Sequence, residues 1–237
     1  MITGLKPLSR KYPFYGRRKG HTLSLRRQKL LDTFLPELLI DAEQSEYIDL
    51  PLMFNKIGEV WLEIGFGAGE HLAAQASIYP NVNFIGCEPY INGVARLLTE
   101  IKKRSLTNIR IYDNDARFLI EKLGPASIDR VFILFPDPWP KKRHNRRRFI
   151  NFENLDELSR VMRKNAELRF ATDDMNLVRW TLNMFQRHPK FKWLVVGPHD
   201  WENRFVDSVP TRYEKKALKL GKRCIYLKFQ HTCHNLV

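Results

Sequence analysis

The chain has 237 residues, enough for one well-buried α/β domain with extensions and rather few for two full domains. A hydrophobic fraction of 43 % and an aromatic fraction of 12 % exclude a disordered or fibrous protein. The 40 Lys and Arg outnumber 26 Asp and Glu, and the resulting charge of +14 attracts polyanions. Nucleic acid is therefore the first candidate partner, against the alternative of a merely solvated cationic surface, and the clustering of the charge decides between them.

Three cysteines, Cys87, Cys224 and Cys233, show no CxxC spacing and no zinc-type histidine partner, so neither a disulfide framework nor a metal centre is expected. The longest apolar run, Val131 to Phe135, is far too short to cross a bilayer, and no apolar signal core follows the first charges. The expectation is a cytosolic protein without membrane contact.

The first thirty residues hold nine Lys or Arg and no acid, interleaved with Tyr12, Phe14 and Tyr15. They read as a partly mobile basic arm, 1–30, suited either to RNA contact or to nothing beyond a poorly ordered terminus. From residue 59 the pattern alternates strand and helix. Val60 to Ile64 is a strand, Glu70 to Tyr79 a helix and Asn83 to Cys87 a second strand. Val94, Leu97, Leu98 and Ile101 mark the next helical face.

Ile109 to Tyr112, Asp129 to Phe135 and Glu167 to Ala171 continue the strands, separated by a short helix, Ala116 to Leu123, and a helix marked by Leu155, Leu158 and Met162. Leu177, Val178, Thr181, Leu182 and Phe185 form a further helical face. Lys192 to Val196 and Cys224 to Phe229 are two late strands around a polar insertion containing Pro198 and Pro210. This order predicts a doubly wound α/β fold, a mostly parallel sheet with helices on both faces.

Ligands of such sheets lie beyond the carboxyl ends of the strands. The first strand runs into Glu63-Ile-Gly65-Phe-Gly67-Ala-Gly69, glycines spaced for a sharp turn and a close approach to a ligand, with an ordinary strand-to-helix turn as the alternative. The GxGxG spacing places Glu70 where the dinucleotide fingerprint needs glycine, which argues against NAD. Glu88 ends the second strand, where an acid can accept from both ribose hydroxyls, or simply be solvated before Pro89. Asp115 follows the third strand and suits an adenine amine or a helix N-cap equally. Carboxylates without a lysine in the loop repel phosphates and suit a sulfonium cation, so S-adenosylmethionine fits better than NAD or ATP.

The fourth strand ends in Phe135-Pro136-Asp137-Pro138-Trp139-Pro140, followed by Lys141-Lys142-Arg143-His144-Asn145-Arg146-Arg147-Arg148, with six cations in eight residues. Prolines stiffen the exit and present Asp137 and Trp139. Together with EIGFGAGE and Glu88, this segment resembles the tRNA (guanine-N7-)-methyltransferase family, with agreement from about Trp61 to Ala217 and with Pro140 where many members carry His.

The resemblance implies a Rossmann-like class I methyltransferase fold of seven strands, the last antiparallel, occupying 31–237 as one domain. It also implies S-adenosylmethionine as cofactor, tRNA as partner and methyl transfer to N7 of a guanosine in the variable loop. It makes Glu63, Gly65, Gly67, Gly69, Glu88, Asp115 and Asp137 cofactor-binding positions, with Asp137 also catalytic. Lys141, Asp173, Thr211, Arg212, Tyr213 and Glu214 become substrate positions, and Arg143, His144, Asn145, Arg146, Arg147 and Arg148 the RNA-contacting stretch.

On local grounds Thr211 and Glu214 equally fit a capping box, and Asp173 a helix cap. Trp139 suits either a base stack or a core position. A methyltransferase of another RNA, a protein or a small molecule, and a nonenzymatic RNA-binding module, are the competing readings. The sequence leaves monomer and homodimer open.

Overall fold

A computed structural model describes residues 12–42 and 46–232. Lys6, Arg10 and Lys11 of the expected arm, and Cys233, lie outside the described residues. The central strand β1 (Val60–Ile64) is buried along its whole length, as its unbroken apolar run requires. Val60, Leu62 and Ile64 face one core, while Trp61 faces the other. Strand β2 (Asn83–Cys87) pairs parallel with β1, and β3 (Ile109–Tyr112) with β2. On its other edge β1 meets β4 (Ile128–Leu134), which pairs with β5 (Met162–Thr172).

The seven-stranded order is β3-β2-β1-β4-β5-β7-β6, with β7 (Ile225–His231) antiparallel to β5 and to β6 (Phe191–Trp193). The order therefore reverses between β1 and β4. The crevice at this switch lies beyond their carboxyl ends, which places the glycine turn and Asp137 side by side.

The helices divide between the two faces. Helices α1 (Leu25–Thr33) and α2 (Leu35–Leu38) pack on one side together with α4 (Glu70–Ile78) and α5 (Ile91–Arg104). The other face carries α3 (Leu50–Phe54), α6 (Ala116–Lys122), α7 (Phe152–Val161) and α8 (Met175–Arg187). Lys102, Lys103 and Arg104 complement the dipole in the last turn of α5, and Ser105 ends the helix in a left-handed conformation (φ 53°). Short helices α9 (His199–Glu202) and α10 (Arg212–Lys219) lie between β6 and β7.

Several sequence expectations need correction. Met162, expected on the seventh helix, begins β5 instead: it pairs with Ile128 before a bulge, and the left-handed Asn165 (φ 66°) lets the strand resume at Glu167 opposite Arg130. Strand β6 stops at Trp193 rather than Val196, because Asp200 Oδ2 accepts from the Val196 and Gly197 amides at 2.6 and 3.0 Å. The helices α1 to α3 are not marked by any apolar period, and α1 runs across residue 30. Single bridges from Leu39 to Ile111 and from Ile48 to Leu123 fasten this leading segment to the domain.

Candidate active site at the sheet crevice

Gly65, Gly67 and Gly69 all have positive φ (74°, 59° and 77°), the conformation that side chains disfavour. A Cβ on Gly69 would stand 2.7 Å from Leu97, whereas above Gly65 there is open space. A further glycine, outside the GxGxG pattern, completes the turn: a Cβ on Gly93 would stand 2.0 Å from the Gly67 carbonyl, so the first turn of α5 presses directly on the loop. The visible signal for it was only a small residue at the start of a strongly apolar helical face.

Glu88, at the end of β2, ties this turn down. Its carboxylate accepts from the Gly67 amide at 2.7 Å and from the Tyr90 amide at 3.0 Å. Burial pushes its pKa up to about 7, with the charges of Asp137 and Glu63 adding to the rise and the two amide bonds opposing it. Glu63 is buried and meets His71 Nδ1 at 2.7 Å, beneath the Phe132 ring. Asp137 stands exposed on the β4 side of the crevice. Three carboxylates thus share one cleft. The room over Gly65, the spare acceptor capacity of Glu88 and the carboxylates gathered here, with no lysine in the glycine turn, fit a ribose and a sulfonium cation better than a pyrophosphate.

Asp115 caps α6 through the Arg117 amide (3.0 Å) and pairs with the Arg117 guanidinium (Nη2 at 2.6 Å). Burial first, and then the charges of Asp115 and Glu88, raise the pKa of the Cys87 thiol at the end of β2. The described part of the basic arm crosses these same strand ends. Arg18 Nη2 donates to Asn114 Oδ1 at 2.6 Å, the Ile91 amide donates to the Arg18 carbonyl at 3.0 Å, and the Gly20 amide donates to Asn92 at 2.8 Å. Tyr12 hydrogen-bonds Glu121 beneath the Arg117 guanidinium.

The exit from β4 is strained. Phe135 (φ 52°) and Trp139 (φ 45°) are both left-handed, and both precede proline, where the extended region is preferred. Each such residue costs about 1–3 kcal/mol and persists only under external support. Trp139 is neither free nor core: Arg147 stacks on it at 4.9 Å and on Tyr15 at 4.3 Å, with His144 edge-on at 5.9 Å. The cations form a 3-10 helix of about two turns, Lys142 to Arg147, and Lys141, Lys142, Arg143 and Arg146 are exposed while Asn145 is half-buried. Arg148 departs from its expected place in the RNA-contacting stretch. It is 5 % exposed, its Nε donates to the Pro138 carbonyl at 3.0 Å, and its Nη2 to the Trp139 carbonyl at 3.4 Å.

The remaining expected substrate residues split. Thr211 caps α10 by accepting from the Glu214 amide (3.1 Å), but Glu214 does not close a capping box. It is 2 % exposed and accepts from Arg204 Nε and the Tyr226 hydroxyl, both at 2.7 Å, so it joins α10 to β7 beneath the surface. Asp174 caps α8, while Asp173 pairs with Lys222 at 2.6 Å. Arg212 is exposed. Tyr213 reaches over the cofactor end: its ring would lie 3.1 Å from a Cβ on Gly67. Burial raises its pKa, and Glu88, Asp137 and Glu70 push the same way against Arg212. The insertion that delivers it is pinned by Asp207, which accepts from Arg169 Nη1 at 2.5 Å and Arg130 Nη1 at 3.4 Å.

The family described as "Putative methyltransferase" matches residues 58–227. A tRNA (guanine-N(7)-)-methyltransferase of Rhodospirillum rubrum is 47 % identical over 221 residues, covering 92 % of this chain and 87 % of that protein. One from Ruegeria sp. is 48 % identical over 225 residues, with the same coverage. Among solved structures, the 16S rRNA methyltransferase KamB superposes with a TM-score of 0.54 at 14 % identity, covering 80 % of this chain and 96 % of that one. An S-adenosylmethionine-dependent O-methyltransferase of Thermotoga maritima superposes with a TM-score of 0.50 at 13 % identity, covering 90 % of this chain and 74 % of that one. Their likeness is one of fold. With relatives nearly half identical along almost its whole length, the chain belongs to the tRNA (guanine-N(7)-)-methyltransferase family.

Proposed function

We propose that this protein transfers the methyl group of S-adenosylmethionine to N7 of a guanosine in the variable loop of tRNA. The observation that carries the reading is the meeting, at one sheet crevice, of the Glu63–Glu88–Asp137 carboxylates with the exposed cations that follow β4. A cationic cofactor and a polyanionic substrate are both served there. When bound, the cofactor supplies an electrophilic methyl on a positively charged sulfur.

The chain's own residues divide the remaining work. Glu88 accepts from the ribose hydroxyls while keeping the glycine turn in shape. Glu63 adds negative potential from below, and Tyr213 covers the turn. Guanine N7 already carries an in-plane lone pair, so no base has to remove a proton and alignment supplies most of the rate. The purine becomes cationic as N7 gains the methyl, so a carboxylate at its Watson–Crick edge binds the transition state better than the ground state. That is the role of Asp137. Lys141, Arg143 and Arg146 hold backbone phosphates.

Asp137→Asn keeps the shape and removes the charge. Transfer of labelled methyl to tRNA at saturating substrates should fall about 10²-fold, well beyond the loss of cofactor affinity measured by calorimetry. Wild-type turnover in this variant, with normal cofactor binding, would refute the electrostatic role.

A further inference from the structure

The strained segment between β4 and the basic turn is held from both ends. At its start the Phe135 amide donates to the Ala171 carbonyl of β5 at 2.7 Å. At its end Arg148 donates to two successive carbonyls, those of Pro138 and Trp139. Its guanidinium also lies over the Trp180 ring at 5.0 Å, and the Trp180 indole N–H is fixed on the Ile150 carbonyl at 2.7 Å. Burial lowers the pKa of Arg148 and the nearby Asp174 carboxylate opposes this. Asp137 stands between the two ties, on a backbone whose left-handed turns at Phe135 and Trp139 both fall before proline.

We propose that Arg148 is a positioning residue, which holds the Pro138 and Trp139 carbonyls from inside and thereby sets the place of the Asp137 carboxylate in the crevice. A planar fork with several donors suits two carbonyls from consecutive residues. A lysine ammonium, a point donor on a flexible stem, reaches one at a time. The neighbouring cations act on phosphates from outside, whereas Arg148 acts on the backbone from within. This inference rests on the role given to Asp137 above.

The test compares Arg148→Lys and Arg148→Met with Arg143→Ala and Asp137→Asn in the full chain. Both Arg148 variants should lose about 10- to 10²-fold in kcat with tRNA, the lysine less than the methionine. Their tRNA KM, the salt slope of tRNA binding and the calorimetric Kd for S-adenosylmethionine should be unchanged. Hydrogen exchange at the Phe135 amide, bonded to the Ala171 carbonyl, and at the amide of residue 148, bonded to the Asn145 carbonyl, should accelerate while that of β1 and the interior of β4 does not, a reading that also shows whether the fold survives. Arg143→Ala, at an exposed cation that holds a phosphate, should make the salt slope shallower and leave that exchange unchanged.

In the Asp137→Asn background, Arg148→Lys should add no further loss. Unchanged kcat and unchanged exchange in Arg148→Lys would overturn the proposal, as would a shallower salt slope with kcat intact. If Asp137→Asn itself keeps full turnover, the role given to Asp137 fails, and unchanged exchange at these two amides in the Arg148 variants would separately sink the backbone hold.

Discussion

Glu88 is the residue whose chemistry has the clearest pH signature. In the ligand-free protein its pKa, about 7, stands above the ordinary 4.5, so the folded state holds this proton more tightly than the unfolded chain. Its stabilising contribution is therefore complete below about pH 4.5 and is lost as the pH rises through about 7. Cofactor binding has the opposite sense, since ribose hydroxyls and a sulfonium favour the carboxylate. Affinity for S-adenosylmethionine should climb as the pH is raised towards about 7 and then level off, with proton release visible as buffer-dependent calorimetric heats. Glu88→Gln should bind more weakly and without pH dependence between about pH 6 and 8. An unaltered pH profile in that variant would assign the titration elsewhere.

At this scale the sequence exposed the acids because each ends a strand that its apolar run already marked. It did not separate Arg148 from Arg143 or Arg146: six cations in eight residues look alike until the turn buries one of them. The same holds for Thr211 and Glu214. Their spacing fits a capping box, yet Glu214 turns inward to Arg204 and Tyr226, partners 10 and 12 residues away that no local pattern indicates.

At the level of elements, the cleft depends on how tightly α5 and the insertion before α10 are applied to the glycine turn. In Gly93→Ala the added methyl would stand 2.0 Å from the Gly67 carbonyl, so the turn must move. Cofactor affinity should fall at least about tenfold while the far-ultraviolet circular dichroism remains that of the folded sheet. Asp207 anchors the insertion to Arg130 and Arg169, and the Gln75 side chain donates to its carbonyl at 2.5 Å. Asp207→Ala should cost about 1–3 kcal/mol in urea unfolding, by leaving two partly buried guanidinium groups short of a partner. It should also raise the cofactor Kd, because Tyr213 is delivered by the same segment.

The central strands were legible because burial on both faces leaves an unbroken apolar signal. The start of β5 and the end of β6 were not, since a bulge at Ile128–Arg130 and the capture of the Val196 amide by Asp200 are tertiary events. Helices α1 to α3 carry no periodic signal because they dock by a few isolated side chains, such as Leu30, Leu35, Leu38 and Leu50, rather than by a sustained face.

For the whole molecule, the +14 charge is concentrated where the chemistry is expected. Lys141, Lys142, Arg143 and Arg146 follow the β4 exit, and the exposed Arg212, Lys215, Lys216 and Lys219 belong to α10, whose Tyr213 covers the glycine turn. Binding of tRNA should weaken linearly in a plot of log affinity against log salt, and each phosphate-contacting cation removed should make the slope shallower by about 0.7–0.9. The arm and the β4 exit meet through Arg147, stacked between Tyr15 and Trp139, so the cofactor end and the RNA end are parts of one surface.

The direct test of the whole account is incubation of the protein with unmodified tRNA and S-adenosylmethionine, followed by nucleoside mass spectrometry and chemical cleavage at N7-methylguanosine. The expected result is one methyl per accepted tRNA, as N7-methylguanosine, with cleavage at a single guanosine of the variable loop. Methyl transfer to another nucleoside or to protein alone, or no N7-methylguanosine on any tRNA offered, would contradict it.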